Sequence, residues 1–310
     1  MANHILTNWN EETASAFTKR PILTEHNLHT REMFSDDGLA DLLDRYPREA
    51  FNLYTMDNSA SGAKESFKRG VPGDLSGDEI LEAVKRGRLW VNLRRANDHC
   101  ELYETLCEEM FGEIDARTPG MKTFKRDVGV LISSPNARVF YHLDIPLVTL
   151  WQIKGEKTMY VYPTGAPYAR DEQVEGVVLG ETEEEIDYEP AFDAGAEVYT
   201  LTPGKMASWP QTAPHRIDNG NCLNVSLSCE FLTLPALVHA NALYTNGVLR
   251  RRYGKAPTIA SDNGARKYAK AVYARAHKLV GSRSSFETIV EPSFEIDLNA
   301  ENSVRNFPAA

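Results

Sequence analysis

His142 and Asp144 are separated by one residue. On an extended chain, residues i and i+2 point to the same side, so this pair presents an imidazole and a carboxylate together. Alone the pattern is weak, because a surface histidine beside a solvated aspartate has the same spacing. It gains weight further along, where Pro203-Gly204 is followed by Pro210 and then by Pro214-His215. A Pro-Gly turn, a short strand, a proline and a histidine put one more imidazole on a second strand. Two imidazoles and a carboxylate make a ligand set for one divalent cation. His142, Asp144 and His215 are therefore the candidate metal ligands and the candidate catalytic residues. His4, His26, His29, His99, His239 and His277 have no metal-like company.

Two histidines and one carboxylate also form the facial triad of non-heme Fe(II) oxygenases, which leaves coordination positions open. A cation stands nearby. By strand parity Lys157 shares a face with Met159 and Val161. That apolar face is an odd place for a lysine without a partner. The bland alternative, a solvated turn lysine, fits Lys154 better.

At these residues the chain resembles the jumonji-type, cupin-fold branch of the Fe(II)/2-oxoglutarate oxygenases. It is similar in particular to the hydroxylase that modifies an asparagine of the hypoxia-inducible factor. That pattern is H-x-D, then a Q-I-K-G-x-K hairpin ending in a proline. Here Gln152-Ile153-Lys154-Gly155-Glu156-Lys157 matches it without a gap, running on to Tyr162-Pro163. Pro203-Gly204, Pro210 and His215 match its second element, and the clear match covers about 128–231. The resemblance implies Fe(II) on His142, Asp144 and His215. It implies Lys157 on the distal carboxylate of 2-oxoglutarate. The implied reaction couples decarboxylation of 2-oxoglutarate by O₂, to succinate and CO₂, with hydroxylation of a C–H bond in a peptide side chain or small molecule. Two cosubstrate-holding positions of the hydroxylase are here Val139 and Val148. That leaves Tyr141, Thr149, Asn224, Ser226 and Ser228 as candidates for the remaining contacts. The rival reading is a cupin-fold metal- or ligand-binding protein without oxygenase turnover.

The elements that must position these residues read in three stretches. Residues 1–120 are a mixed α and β flank. Ser35 can cap a helix over 36–46, ended by Pro47. Ser76 and Glu79 form a capping box ahead of a helix closed by Gly87. Asn97 can cap another over 97–111, with Gly112 after it, and 88–93 reads as a strand. Residues 121–234 carry short strands with Gly/Pro turns at 128–133, 147–153, 156–162, 198–201, 206–209 and 224–232. They read as a double-stranded β-helix, or jelly roll. The hairpin over 147–162 is apolar on both faces, so its outer face should be covered. Residues 235–310 turn helical, with helices over 236–253 and 262–280 and Gly281 ending the second. The tail is read as loop, with Phe286, Ile289 and Phe294 as anchors. On the helix over 262–280 the apolar face contains Ala265, Ala269 and Ala276, small enough for two helices to approach closely. A homodimer through this helix or its neighbour is the expectation, as in the resembling hydroxylase.

Composition sets the outer bounds. The 310 residues are 42% hydrophobic and 25% charged, a globular balance. The net charge of −10 is local. Eleven acids and no Lys or Arg lie between Asp171 and Pro203, and the rest of the chain holds 34 bases against 33 acids. There is no basic stripe for nucleic acid, and no apolar run of the roughly 20 residues a bilayer span needs. The acidic block reads as a solvated insertion, and Arg250-Arg251-Arg252 as a solvated helix end. The cysteine pairs Cys100/Cys107 and Cys222/Cys229 lack metal spacing, which suits free thiols in the cytoplasm.

Overall fold

The computed structural model describes residues 4–56, 67–255, 257–258, 264–280 and 291–308. The chain opens with α1 (Glu11–Ala16) and β1 (Ile22–Glu25). Helix α2 (Asp36–Arg45) starts where the Ser35 hydroxyl accepts the Gly38 N–H at 3.0 Å, and it stops before Pro47. Strands β2 (Asn52–Met56) and β3 (Phe67–Val71) pair antiparallel. Helix α3 (Gly77–Arg86) opens on the Ser76/Glu79 capping box and closes on Gly87. It is followed by β4 (Leu89–Leu93). The helix expected over 97–111 is in fact two, α4 (Ala96–His99) and α5 (Glu101–Arg117), separated by an extended Cys100. Asn97 caps neither; its side-chain oxygen accepts the Val128 N–H at 2.7 Å. Gly112 lies inside α5 rather than after it.

Eight strands follow: β5 (Phe124–Ser133), β6 (Arg138–His142), β7 (Leu147–Lys154), β8 (Lys157–Val161), β9 (Glu197–Leu201), β10 (Lys205–Ser208), β11 (His215–Asn219) and β12 (Asn224–Leu232). They close into the expected jelly roll. One layer runs β6-β11-β8-β9, and β10-β7-β12-β5 are adjacent in the other. Strands β7 and β8 are therefore no hairpin, a correction to the sequence reading. The chain passes from one sheet to the other at Lys154-Gly155-Glu156, and Gly155 takes the positive φ of 73° that this corner needs. The apolar doubleness of β7 has the expected cause. Val148 and Leu150 face the barrel interior, while Leu147, Trp151 and Ile153 join the core shared with the N-terminal elements.

The second layer does not stop at the barrel. Strand β1 extends it beyond β10, and β4, β2 and β3 extend it beyond β5. A flank boundary near residue 120 thus falls inside one continuous sheet. Between β8 and β9 lies α6 (Asp171–Leu179). After β12 come α7 (Leu234–Tyr253) and α8 (Gly264–Val280), packed on each other. The tail is not all loop. Strand β13 (Phe294–Ile296) pairs in parallel with β3, and β14 (Val304–Asn306) pairs with β13. Phe294 is the anchor expected of it, buried against Gly70, where any larger residue would meet its ring. Phe286, Ile289 and Gly281 lie outside the described residues. Among the described residues no helix is long and apolar enough to cross a membrane.

Candidate metal centre

His142 ends β6, and His215 begins the adjacent β11, directly opposite it in the antiparallel register. The two rings lie 4.1 Å apart. Asp144 follows two residues after His142, and its backbone carbonyl accepts the Thr212 N–H at 3.3 Å. That ties the loop of one ligand to the loop before the other. His215 Nε2 is 3.3 Å from one Asp144 oxygen, and His142 Nε2 is 4.0 Å from the other. One donor atom from each of the three residues falls within 4.8 Å of the others. Two distant stretches of sequence are thus brought together by a single strand pairing.

The hydrogen bonds fix which ring nitrogen faces the centre. His142 Nδ1 is 2.8 Å from the Phe140 carbonyl, and His215 Nδ1 is 3.1 Å from the Ala213 carbonyl. A carbonyl only accepts, so each Nδ1 carries the proton. In neutral rings both Nε2 atoms then present lone pairs. Burial holds His215 well below its ordinary range, reinforced by His142, so it is neutral at pH 7. The neutral His215 therefore turns a lone pair toward a carboxylate 3.3 Å away, and acceptor crowds acceptor. Burial also pushes Asp144 up to about 6, against the pull of His142. A divalent cation relieves this crowding, and the donor set suits one. The carbonyls behind the rings are the outer partners that metal-binding histidines ordinarily use.

A cavity of about 130 Å³ opens over the triad. Leu131, Val148, Leu150 and Ile217 make its apolar wall, and the Trp209 ring lies 4.5 Å from the His215 ring, tilted 48° to it. Trp209 thus serves the centre, while Trp151 is buried core.

The remaining candidates separate by strand face. Ser228 lines the cavity. Ser226 shares its face but is committed to a polar chain. It donates to Gln152 Oε1 at 2.8 Å, and the Gln152 amide donates to Asn224 Oδ1 at 2.8 Å. Thr149 and Tyr141 face away, a correction to the sequence reading. Thr149 lies on the Trp151 side of β7, where its hydroxyl accepts the indole N–H at 2.9 Å. Tyr141 lies outside the barrel, stacked edge-on to Tyr162 at 4.8 Å, with its hydroxyl on the Tyr168 carbonyl. Lys157 sits on the inner face of β8 with Met159 and Val161 and is 4% exposed. It is not among the residues that line the cavity. Burial alone lowers it to about 7. No hydrogen bond or ion pair reaches its ammonium among the described residues.

The centre also has residues that the sequence did not single out. Trp90 and Arg94 from β4 and its following turn line the cavity, as do Asp127, Glu184 and Glu230. Burial pushes Glu230 up to about 7. Glu184 belongs to the acidic block, which is not simply solvated. Glu175 of α6 has no exposed surface and is held by Arg250 at 2.7 Å and Arg251 at 3.1 Å. The arginine cluster is likewise a clamp and not a free helix end. Arg216 forms ion pairs with Asp193 and Asp218. The local signal that could have exposed the clamp was the charge excess of each segment; their pairing across some 75 residues was not visible.

No family model matches the chain, and no curated protein does. Solved structures do. The chain superposes on the X-ray structure of ycfD from E. coli with a TM-score of 0.51 and 18% identity, covering 92% of this chain and 71% of that one. Another structure describes YcfD as a ribosomal oxygenase in complex with cobalt and 2-oxoglutarate. It aligns at a TM-score of 0.49 and 17% identity, over 96% of this chain and 76% of that one. At such identity the likeness is one of fold: a mainly β protein with a jelly-roll core and helical flanks. It does not single out the asparaginyl hydroxylase.

Proposed function

We propose that this protein is an Fe(II)- and 2-oxoglutarate-dependent dioxygenase that hydroxylates a C–H bond of a protein side chain or small molecule. The observation that carries this reading is the convergence of two imidazoles, each turned by its Nδ1 contact with a backbone carbonyl, on the Asp144 carboxylate, an arrangement that suits a cation at their meeting point. His142, Asp144 and His215 would hold the metal. Iron bound there supplies the redox chemistry by which O₂ decarboxylates 2-oxoglutarate to succinate and CO₂ and a C–H bond is hydroxylated. The chain's own residues do the rest. Trp209 and the apolar wall would shield one side of the centre, and the two backbone carbonyls hold the imidazoles in one tautomer. Lys157 lies four residues along β8 from Val161, the partner of His215. At ~3.3 Å per residue that is roughly 13 Å, room for a lysine stem and a five-carbon diacid end to end. Ser228, which lines the cavity, would touch the cosubstrate.

The α8 geometry adds a homodimer to the proposal. Helix α8 packs on α7 through Ala274 and its neighbours, which leaves Tyr268, Val272, Leu279 and Val280 more than half exposed. An antiparallel copy centred on Val272 sets Tyr268 against Ala276 and Leu279 against Ala265, large against small each time. The four free cysteines suit a reducing, cytoplasmic setting.

The test is turnover of 2-oxoglutarate to succinate by protein reconstituted with Fe(II) and ascorbate, with the His215→Ala variant as control. Metal affinity should fall at least a hundredfold in that variant, beyond the loss seen for outer partners alone. Wild type that binds metal tightly yet yields no succinate under any candidate substrate would favour the cupin-fold binding protein without turnover.

A further inference from the structure

His142 and His215 are fixed by strand pairing, but Asp144 lies past the end of β6, in the loop that leads to β7. A side chain on a loop is placed only as well as the loop is held. This loop is fastened by Gln211. Its amide donates to the Ile145 carbonyl at 2.7 Å and to the Ala236 carbonyl at 3.1 Å. Both partners only accept, so the amide nitrogen, with its two hydrogens, is the atom that faces them. Ile145 follows Asp144 directly, and Ala236 lies in the first turn of α7. One side chain thus joins the Asp144 loop to the stretch ahead of His215 and to the C-terminal helices.

The stretch that carries Gln211 is a tight turn. The Ala213 N–H donates to the Pro210 carbonyl at 3.0 Å, with Gln211 and Thr212 at the two central positions. Thr212 takes a φ of 62°, where a β-branched residue is strained and glycine is the ordinary choice. Such strain persists only where the surroundings over-determine the backbone, and it gathers at functional sites and ligand clamps. Here the Thr212 N–H donates to the Asp144 carbonyl at 3.3 Å, and the Tyr162 N–H fixes the Pro214 carbonyl at 2.9 Å. The turn therefore holds two consecutive residues of the loop, Asp144 by its backbone and Ile145 by a side chain. Gln211 is not among the residues that line the triad's cavity; it lines two other cavities. Its route to the metal is the loop.

We propose that Gln211 is a positioning residue for Asp144: its amide holds the loop so that the carboxylate meets the two imidazoles. This rests on the oxygenase reading for the metal and deepens it. The resemblance in sequence fixes only the ends of this stretch, Pro210 and His215, so the role belongs to this chain's own residues. A purely architectural amide, tying α7 to the barrel, would make the same two hydrogen bonds. The two roles part in what the metal feels when the amide is lost.

The test is Co(II) binding to the full chain, read by calorimetry and by the visible d–d absorption of the bound ion, with melts of each metal-free preparation to show that it is folded. Gln211→Leu keeps the bulk and removes both donors. It should weaken Co(II) about tenfold, the low end for loss of an outer partner, and shift the absorption band as the carboxylate oxygen moves. Gln211→Lys should recover the affinity to within about threefold, because an ammonium offers donors to the same two carbonyls, and the band should return. Thr245→Val removes a 2.7 Å hydrogen bond from α7 to the Lys270 carbonyl of α8; it should move the melt and leave Co(II) alone. If Gln211→Leu fails to fold, Gln211→Asn, one methylene shorter, carries the same comparison. Unaltered affinity, an unaltered band, or a lysine variant no better than leucine overturns the positioning role while the metal centre stands. Wild type that binds no Co(II) removes the centre, and the oxygenase reading falls together with this one. Tight Co(II) binding without succinate turnover removes the oxygenase reading alone, and the variants still decide the role of Gln211.

Discussion

Glu175 and Lys157 are both buried charges, and the molecule treats them in opposite ways. Glu175, on α6, has no exposed surface, and two arginines of α7 close on it at 2.7 and 3.1 Å. Lys157, on the inner face of β8, is 4% exposed and meets no countercharge among the described residues. Burying an ion costs several kcal/mol unless a partner returns most of it. The α6–α7 contact carries its own partners, so its charge is architecture. The inner face of β8 does not, so its charge fits a partner that arrives with a ligand. The polar groups near Ser226 sharpen the contrast, because Ser226, Gln152 and Asn224 satisfy one another.

The comparison breaks most visibly at Glu175. Glu175→Ala should destabilise the fold by about 3 kcal/mol, the low end for a buried pair opened from one side, and denaturant melts would show it. Metal affinity should not move. At Lys157 the sign reverses. Lys157→Met should leave the apo protein more stable by about 1–3 kcal/mol, yet weaken 2-oxoglutarate binding by about 2–5 kcal/mol. Calorimetry of cosubstrate binding and melts of the same preparation read both. A Met variant that is less stable than wild type, with unaltered affinity, would mean the ammonium has a structural partner.

A gentler probe is pH. The folded-state value for Lys157, about 7, lies below the ~10.4 of an unfolded chain. The unfolded state therefore binds more protons between these values, and stability rises with pH across that window. Wild type should gain on Lys157→Met from about pH 7 to about pH 10 and run parallel to it below pH 7. Cosubstrate binding requires the ammonium, so its affinity should fall by up to about tenfold per unit above pH 7. The smallest effect belongs to α8. Val272→Glu with Ala269→Glu should halve the mass seen by light scattering while shifting the melt by less than about 1 kcal/mol. A wild type that is already monomeric at micromolar concentration removes the dimer.

The grouping of His142, Asp144 and His215 was legible because its information is local: H-x-D keeps two of the side chains together, and the Pro-Gly-to-histidine spacing supplies the third. The helix starts at Ser35 and Ser76 were legible for the same reason. What failed depended on partners elsewhere. Strand parity alone places Thr149 on the Trp151 side of β7, but which side faces the cavity is decided by the sheet layers. In β6 the register shifts between His215 and Ile217, so Val139 and His142 both oppose inward-facing residues of β11 although an odd number of steps separates them. Simple alternation cannot survive such a bulge. The corner at Gly155 looked like a hairpin because a tight turn between apolar strands reads the same whether the strands pair or part. Glu175 looked solvated because its arginines lie on another helix.

One parallel pairing sets the order in which this molecule can be built. Phe294 and Glu295 of β13 lie against Gly70 and Val71 of β3. A chain emerging from the ribosome makes the β2–β3 hairpin early, but the strand that pairs with that edge is synthesised only after the barrel and α8. The edge of the large sheet must wait, unpaired on one side, through synthesis of the entire barrel. Contacts this distant in sequence slow folding, and an open strand edge is the surface on which nascent chains associate wrongly. Cleavage of the tail ahead of Phe294 should therefore be felt as lower yield of soluble protein during expression, long before any loss at the metal centre is measurable.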